Sequence, residues 1–178
     1  MALRATVYRA ELAVSDLDRG VYGQHVLTLA RHPSETEERL MVRLLAFALF
    51  ADEALAFGRG LSTEDEADLW QRDPTGVIER WIDVGLPDER AVRKACGRAR
   101  AVVVLAYGAR RVDAWWEENA AAFARLDNLS VLTLTAAETA ALESLAARSM
   151  ELSCTVQDGH VWLASGDATV EITPQRRQ

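Results

Sequence analysis

Hydrophobic and polar positions alternate at the start of the chain: Leu3, Ala5 and Val7 on one side, Arg4, Thr6 and Tyr8 on the other. That period of two predicts a strand over residues 3–14. Asp16-Leu17-Asp18-Arg19-Gly20 reads as a turn and Val21 to Arg31 as a second strand. The period then changes. Leu40, Met41, Leu44, Leu45, Ala48 and Leu49 recur at helical spacing, so a helix opens at Pro33-Ser34 and runs to about Leu55. Ser34 and Glu37 have the spacing of a capping box at its start.

Three short strands are expected next, over Leu55–Arg59, Ala67–Arg72 and Val77–Val84, with Pro74-Thr75-Gly76 turning the last two into a hairpin. A helix begins at Pro87, whose ring suits the first helical turn, and runs to about Arg98. Ala101–Ala106 is apolar on both faces, the mark of a central strand covered on both sides. A helix over about Arg111–Leu126 and a strand over Ser130–Leu134 complete a βαβ unit. Thr135 and Glu138 form a second capping box, for a helix to about Ala147. Strands around Leu152–Val156 and His160–Leu163 flank Asp158-Gly159, a strong two-residue hairpin signal. Thr169–Ile172 adds a further strand, and Gln175–Gln178 reads as a loose tail. With no repeat or linker, the pattern describes one α/β domain over residues 1–178 with a mixed sheet flanked by helices.

Composition narrows the setting. A net charge of −7 disfavours broad clamping of DNA, although a local basic patch remains compatible with it. Cys96 and Cys154 lack metal or redox spacing and read as reduced thiols. There is no signal-peptide core and no run of about 20 apolar residues, so the expected location is the cytoplasm, away from membranes. Nineteen of the twenty basic residues are Arg; the exception is Lys94.

The residues that could carry chemistry cluster between Asp68 and Asp83. On the Val77–Val84 strand, Ile78, Ile82 and Val84 share one face, and Glu79, Trp81 and Asp83 the other. If the turn pairs Asp73 with Ile78, Trp70 falls opposite Trp81 and Asp68 opposite Asp83. Opposed carboxylates require compensation, from a divalent cation or from a nearby Arg. Glu38 joins them by helical spacing, since Met41, Val42 and Leu45 place it on the buried stripe. One reading is therefore a metal site; the other is an ion-pair network with Arg31, Arg72 or helix arginines. Lys94 lies about one turn into the Pro87–Arg98 helix, as a phosphate or water ligand or as part of a solvated basic face. Trp70 and Trp81 fit packing better than base stacking. His25, His32 and His160 are scattered, which argues against zinc. No P-loop, G-x-G-x-x-G or G-x-S-x-G is present.

Several runs carry a resemblance. Ala30–Arg39, Gly60–Trp70, Trp81–Arg90, and Gln157-Asp158-Gly159 followed by Val161-Trp162-Leu163 resemble the bacterial YaeQ family over nearly the whole chain. That family is similar in fold to the PD-(D/E)xK nucleases. The resemblance implies a restriction-endonuclease-like core with extra N- and C-terminal β-hairpins. It implies a Mg²⁺- or Mn²⁺-dependent phosphodiesterase in which Glu38, Asp68, Glu79 and Asp83 are the metal ligands, with Glu38 and Lys94 as catalytic residues and no organic cofactor. Trp81 stands where the in-line lysine of the pattern belongs, so Lys94 would have to replace it from the following helix. The alternatives are a catalytically inactive nucleic-acid-associated binding or regulatory domain on the same fold, and a hydrolase of small phosphoesters.

Overall fold

The computed structural model describes residues 3–60 and 65–178. Met1, Ala2 and positions 61–64, the last inside the Gly60–Trp70 run, lie outside the described residues. In chain order the first half comprises β1 (Thr6–Asp16), β2 (Val21–Arg31), α1 (Glu37–Leu49), β3 (Leu55–Phe57), β4 (Leu69–Arg72), β5 (Ile78–Val84) and α2 (Glu89–Arg98). The second half comprises β6 (Ala99–Ala106), α3 (Arg110–Phe123), β7 (Leu129–Thr133), α4 (Ala136–Glu143), β8 (Ser149–Gln157), β9 (His160–Ser165), β10 (Ala168–Ile172) and β11 (Gln175–Arg176). No helix among the described residues is long and apolar enough to cross a membrane.

The strands form two mixed sheets rather than one. The five-stranded sheet has the order β10-β9-β8-β1-β2 and the six-stranded sheet the order β11-β7-β6-β5-β4-β3. The terminal hairpins thus merge: β1 runs parallel to β8, with Arg9 beside Ser149 and Asp16 beside Val156. Asp18, in the β1–β2 turn, secures this union by accepting hydrogen bonds from the backbone N–H groups of Asp158 (2.7 Å) and Gly159 (2.9 Å) in the β8–β9 turn.

Helix α1 lies between the sheets. Its nine residues Leu40 to Ala48 are all buried, the signature of a helix covered on every side. Tyr8, Leu12, Leu29, Leu152 and Leu163 of the smaller sheet share its core with Ile82, Val84, Val103 and Leu105 of the larger one. On the far face, Val92 and Ala95 of α2 and Val112, Trp115 and Phe123 of α3 cover Trp81, Val102, Val104 and Val131. Strands β5, β6 and β7 are parallel neighbours, with α2 and α3 as crossovers.

Four local expectations are corrected. Thr36, not Ser34, caps α1, its hydroxyl accepting from the Arg39 N–H at 3.1 Å. Ser34 instead turns back onto His32 Nδ1, so the S-x-x-E spacing is fulfilled by neither side chain. Helix α1 also ends at Leu49, before the expected limit. The tail is not loose: β11 pairs with β7, the Gln178 carbonyl accepts from the Val131 N–H, and the Gln178 side-chain amide donates to the Phe123 and Leu126 carbonyls. Finally, the β4–β5 register slips. Trp70 does face Trp81, but Arg72, not Asp73, pairs with Ile78, and Glu79 has no partner on β4. That bulge turns Ile78 into the cluster that holds Trp81, so Glu79 and Asp83 no longer share a face.

Candidate functional site

Parallel strands present their carboxyl ends to one rim of a sheet, where ligands of α/β folds gather. Here β5 is followed by Gly85 and β6 by Tyr107 and Gly108, and at this rim opens a cleft of about 470 Å³ lined by Arg39, Asp68, Asp83, Leu86, Tyr107 and Arg111, among others. Gly108 has a φ of +137°, and a Cβ there would press against Arg111 Nη2 at 3.3 Å and Leu86 Cδ1 at 3.4 Å. A side chain at this position would be strained and crowded.

Asp68 and Asp83 meet at its floor. The Asp68 backbone N–H donates to Asp83 Oδ1 at 3.3 Å, and Trp81 Nε1 donates to Asp83 Oδ2 at 2.9 Å. Asp68 Oδ2 accepts from the Val84 N–H at 2.8 Å, while Arg39 Nη2 donates to Asp68 Oδ1 at 2.6 Å. Burial, and then the Asp68 charge, pushes the Asp83 carboxyl up to about 6, against the bonds from Trp81 and the Asp68 N–H and the attraction of Arg39. Burial likewise lifts the Tyr107 phenol to about 12; Arg39 opposes this, and the charges of Glu38, Glu35 and Asp68 add to it. All four carboxylate oxygens of the aspartate pair are engaged. Arg39 supplies the compensation that opposed acids need.

Arg39 is itself held from the core. Its Nη1 donates to Glu35 Oε1 at 3.0 Å, and Glu35 is clasped at both oxygens by Arg43, Nε to Oε1 at 2.8 Å and Nη2 to Oε2 at 2.9 Å. Glu35 and Arg43 are 3% and 2% exposed. A buried bidentate pair of this kind survives because every charge is matched. It forms a rigid line, Arg43–Glu35–Arg39–Asp68, from beneath α1 to the cleft.

The structure therefore brings together only some of the expected set. Asp68 and Asp83 converge. Glu38 stands half-buried on α1, near enough to Tyr107 to act on its phenol. Glu79 lies four residues along β5 from Asp83, roughly 13 Å of strand, and pairs with Arg100 at 2.9 Å. Lys94 is exposed, pairs with Asp65 and does not line the cleft. A divalent cation needs open oxygen ligands. Among the described residues no three Asp, Glu, His or Cys side chains gather to hold one. With Arg39 beside Asp68 and both carboxylates engaged, the donors as arranged do not fit Mg²⁺ or Mn²⁺.

Sequence reasoning named Arg39 and Arg43 only as unspecified helix arginines and missed Glu35, Tyr107 and Arg111. The available signal was Arg43, a charge set among Leu40, Met41, Val42, Leu44 and Leu45 where only a paired group belongs. Arg39 and Glu35 stand four and eight residues before it.

The same architecture occurs in known proteins. A family model described as "YaeQ protein" matches residues 1–174. "Uncharacterized protein YaeQ" of Salmonella typhi is 48% identical over 172 residues, covering 97% of this chain and 95% of that one. Its namesake in Escherichia coli (strain K12) is 45% identical over the same length and coverage. The crystal structure of YaeQ protein from Xanthomonas axonopodis pv. citri matches with a TM-score of 0.95 at 55% identity, over 98% of each chain. That of YaeQ protein from Pseudomonas syringae matches at 0.91 and 37% identity, over 98% of this chain and 96% of that one.

Proposed function

The chain belongs to the YaeQ family, and from that footing we propose that its cleft binds the phosphodiester backbone of a nucleic acid in the cytoplasm without cleaving it. The observation that carries this reading is Arg39: the position beside the aspartate pair where a catalytic cation would sit is filled by the protein's own guanidinium, fixed from the core by Glu35 and Arg43. Three further features support a phosphate ligand. Arg111 projects at the cleft with no carboxylate partner among the described residues. Helix α3 begins on this rim without a side-chain cap, setting the positive end of its dipole there. The exposed side of α2 carries Arg90, Arg93, Lys94 and Arg98, of which Arg93 pairs with Glu89 and Lys94 with Asp65, so four cations outnumber the acids Glu89, Asp88 and Asp65 beside them. Cys96 and Cys154 stay unpaired, which suits a reducing compartment. On this reading the fold is that of the PD-(D/E)xK nucleases, with Glu38 on the helix, Asp68 and the acids of β5 following the order of their pattern and the metal chemistry lost.

Fluorescence anisotropy with a labelled oligonucleotide tests it. Binding should weaken steeply between about 50 and 200 mM salt, and Arg111→Ala should loosen it at least about fivefold. No cleavage should accompany binding in Mg²⁺ or Mn²⁺.

The second reading is the metal-dependent phosphodiesterase itself. One observation favours it: the Asp68 charge still helps to hold Asp83 near pH 6, a repulsion that a cation would relieve. Calorimetric Mn²⁺ binding that disappears in Asp68→Asn, with cutting lost in Lys94→Ala, would establish this reading and defeat the first.

A further inference from the structure

Sheet edges invite pairing, and proteins guard them with short strands, charges, prolines or bulges. Three of the four edges here are guarded by length: β3 has three residues, β11 two and β10 five. Strand β2 is different. It has eleven residues, ends its sheet, and pairs with β1 in unbroken register from Val21 to Arg31, so no bulge turns it aside. It contains no proline and no Asp, Glu or Lys, and its only Arg is Arg31, the final residue. Tyr22 and Val26 are 66% and 82% exposed, with Gln24, Thr28 and Ala30 beside them on the solvent side.

We infer that β2 is a dimerisation edge, pairing antiparallel with β2 of a second copy about a two-fold axis at Val26 to form one ten-stranded sheet. The occupant follows from charge and symmetry. A chain of net charge −7 repels its own copies over most of its surface, but a strip free of charge for ten residues can face itself without opposed like charges. Residue 26 is the midpoint of the strand, so an axis there gives the longest overlap, its far end at Ala30, whose carbonyl accepts from Arg43 Nη2 at 3.1 Å. It sets Tyr22 opposite Ala30, Gln24 opposite Thr28 and Val26 opposite itself. The two Arg31 side chains then lie ten residues apart, about 33 Å, beyond the range of screened repulsion. Closed two-fold pairing also uses each edge once and cannot propagate into fibres.

The contact is small, so the dimer should be weak, with a dissociation constant on the order of 10 μM. Sedimentation velocity from about 1 to 200 μM, combined with amide hydrogen exchange at the same concentrations, decides it. A monomer–dimer equilibrium is expected, with β2 amides exchanging more slowly as concentration rises. Val26→Lys, at a position exposed enough to leave folding intact, should raise the dissociation constant at least about tenfold, while Val26→Thr keeps it within about threefold. A chain that stays monomeric to 200 μM, as it would if this edge served an unrelated partner, overturns the inference. So does a dimer indifferent to Val26→Lys with unchanged β2 exchange.

Discussion

At the scale of single residues, the molecule turns on which carboxylate is buried. Helical spacing selects Glu38, yet the deeply buried acid at the start of α1 is Glu35. It precedes the Thr36 cap and lies outside the helix, where no periodicity reports on it. Glu35→Gln would leave Arg43 charged in the core with half its bonds, a loss of about 3–5 kcal/mol to be read from urea unfolding. The paired replacement Glu35→Leu with Arg43→Met should recover most of that stability while freeing Arg39 from its anchor. Asp83 gives a prediction of opposite sign. Its pKa is raised in the fold, so the native state keeps a proton that the unfolded chain releases between about pH 4 and 6. The stability this contributes is complete below the ordinary Asp value and lost as pH climbs through about 6. Asp83→Asn, which mimics the protonated acid, should therefore leave stability unchanged at about pH 4 and raise it by up to about 3 kcal/mol at pH 7.5. Thermal melts across that range check it. The Trp70–Trp81 pairing was legible because strand pairing and the Pro74–Gly76 turn constrain it; their rings meet edge-on at 5.8 Å. The bulge at Glu79 has no such local signature, and it is why a face argument sound for Trp81 and Asp83 failed for Glu79.

At the scale of elements, what periodicity encodes was readable and what a single side chain decides was not. The exact span of β2, the centre of α1 and the Thr135–Glu138 capping box follow from local pattern. Two acceptable caps, Ser34 and Thr36, compete two residues apart, and the geometry of the His32–Glu35 turn chooses between them. Thr36→Ala should cost about 1 kcal/mol, whereas Ser34→Ala should change stability by less than about 0.5 kcal/mol; chemical denaturation distinguishes the two. The polar tail misled for a related reason. Its bonds run from backbone, amide and guanidinium groups to β7 and both ends of α3, and none depends on an apolar side chain. Removing residues 175–178 should accelerate hydrogen exchange at Val131 through Thr133 and lower the melting temperature by roughly 2–4 °C.

At the scale of the whole molecule, the elements were legible and their assembly was not. A mixed sheet flanked by helices was foreseen, but the division into two sheets rests on β1 pairing with β8, and no local pattern says which strand will occupy an edge some 140 residues away. Cores of similar apolar composition on the two faces of the larger sheet leave that choice to topology. Such distant pairing makes refolding slow, in the millisecond-to-second range or beyond, as stopped-flow tryptophan fluorescence would record. The pairing also has a consequence at birth. The β1–β2 hairpin leaves the ribosome well before its partner strand β8, which follows on the order of ten seconds later at ordinary elongation rates. Throughout that interval α1 can cover the hairpin's apolar face, but the edge of β1 meant for β8 stays open to solvent. The chain should therefore engage ribosome-bound chaperones during its own synthesis, until the last strands arrive to close it.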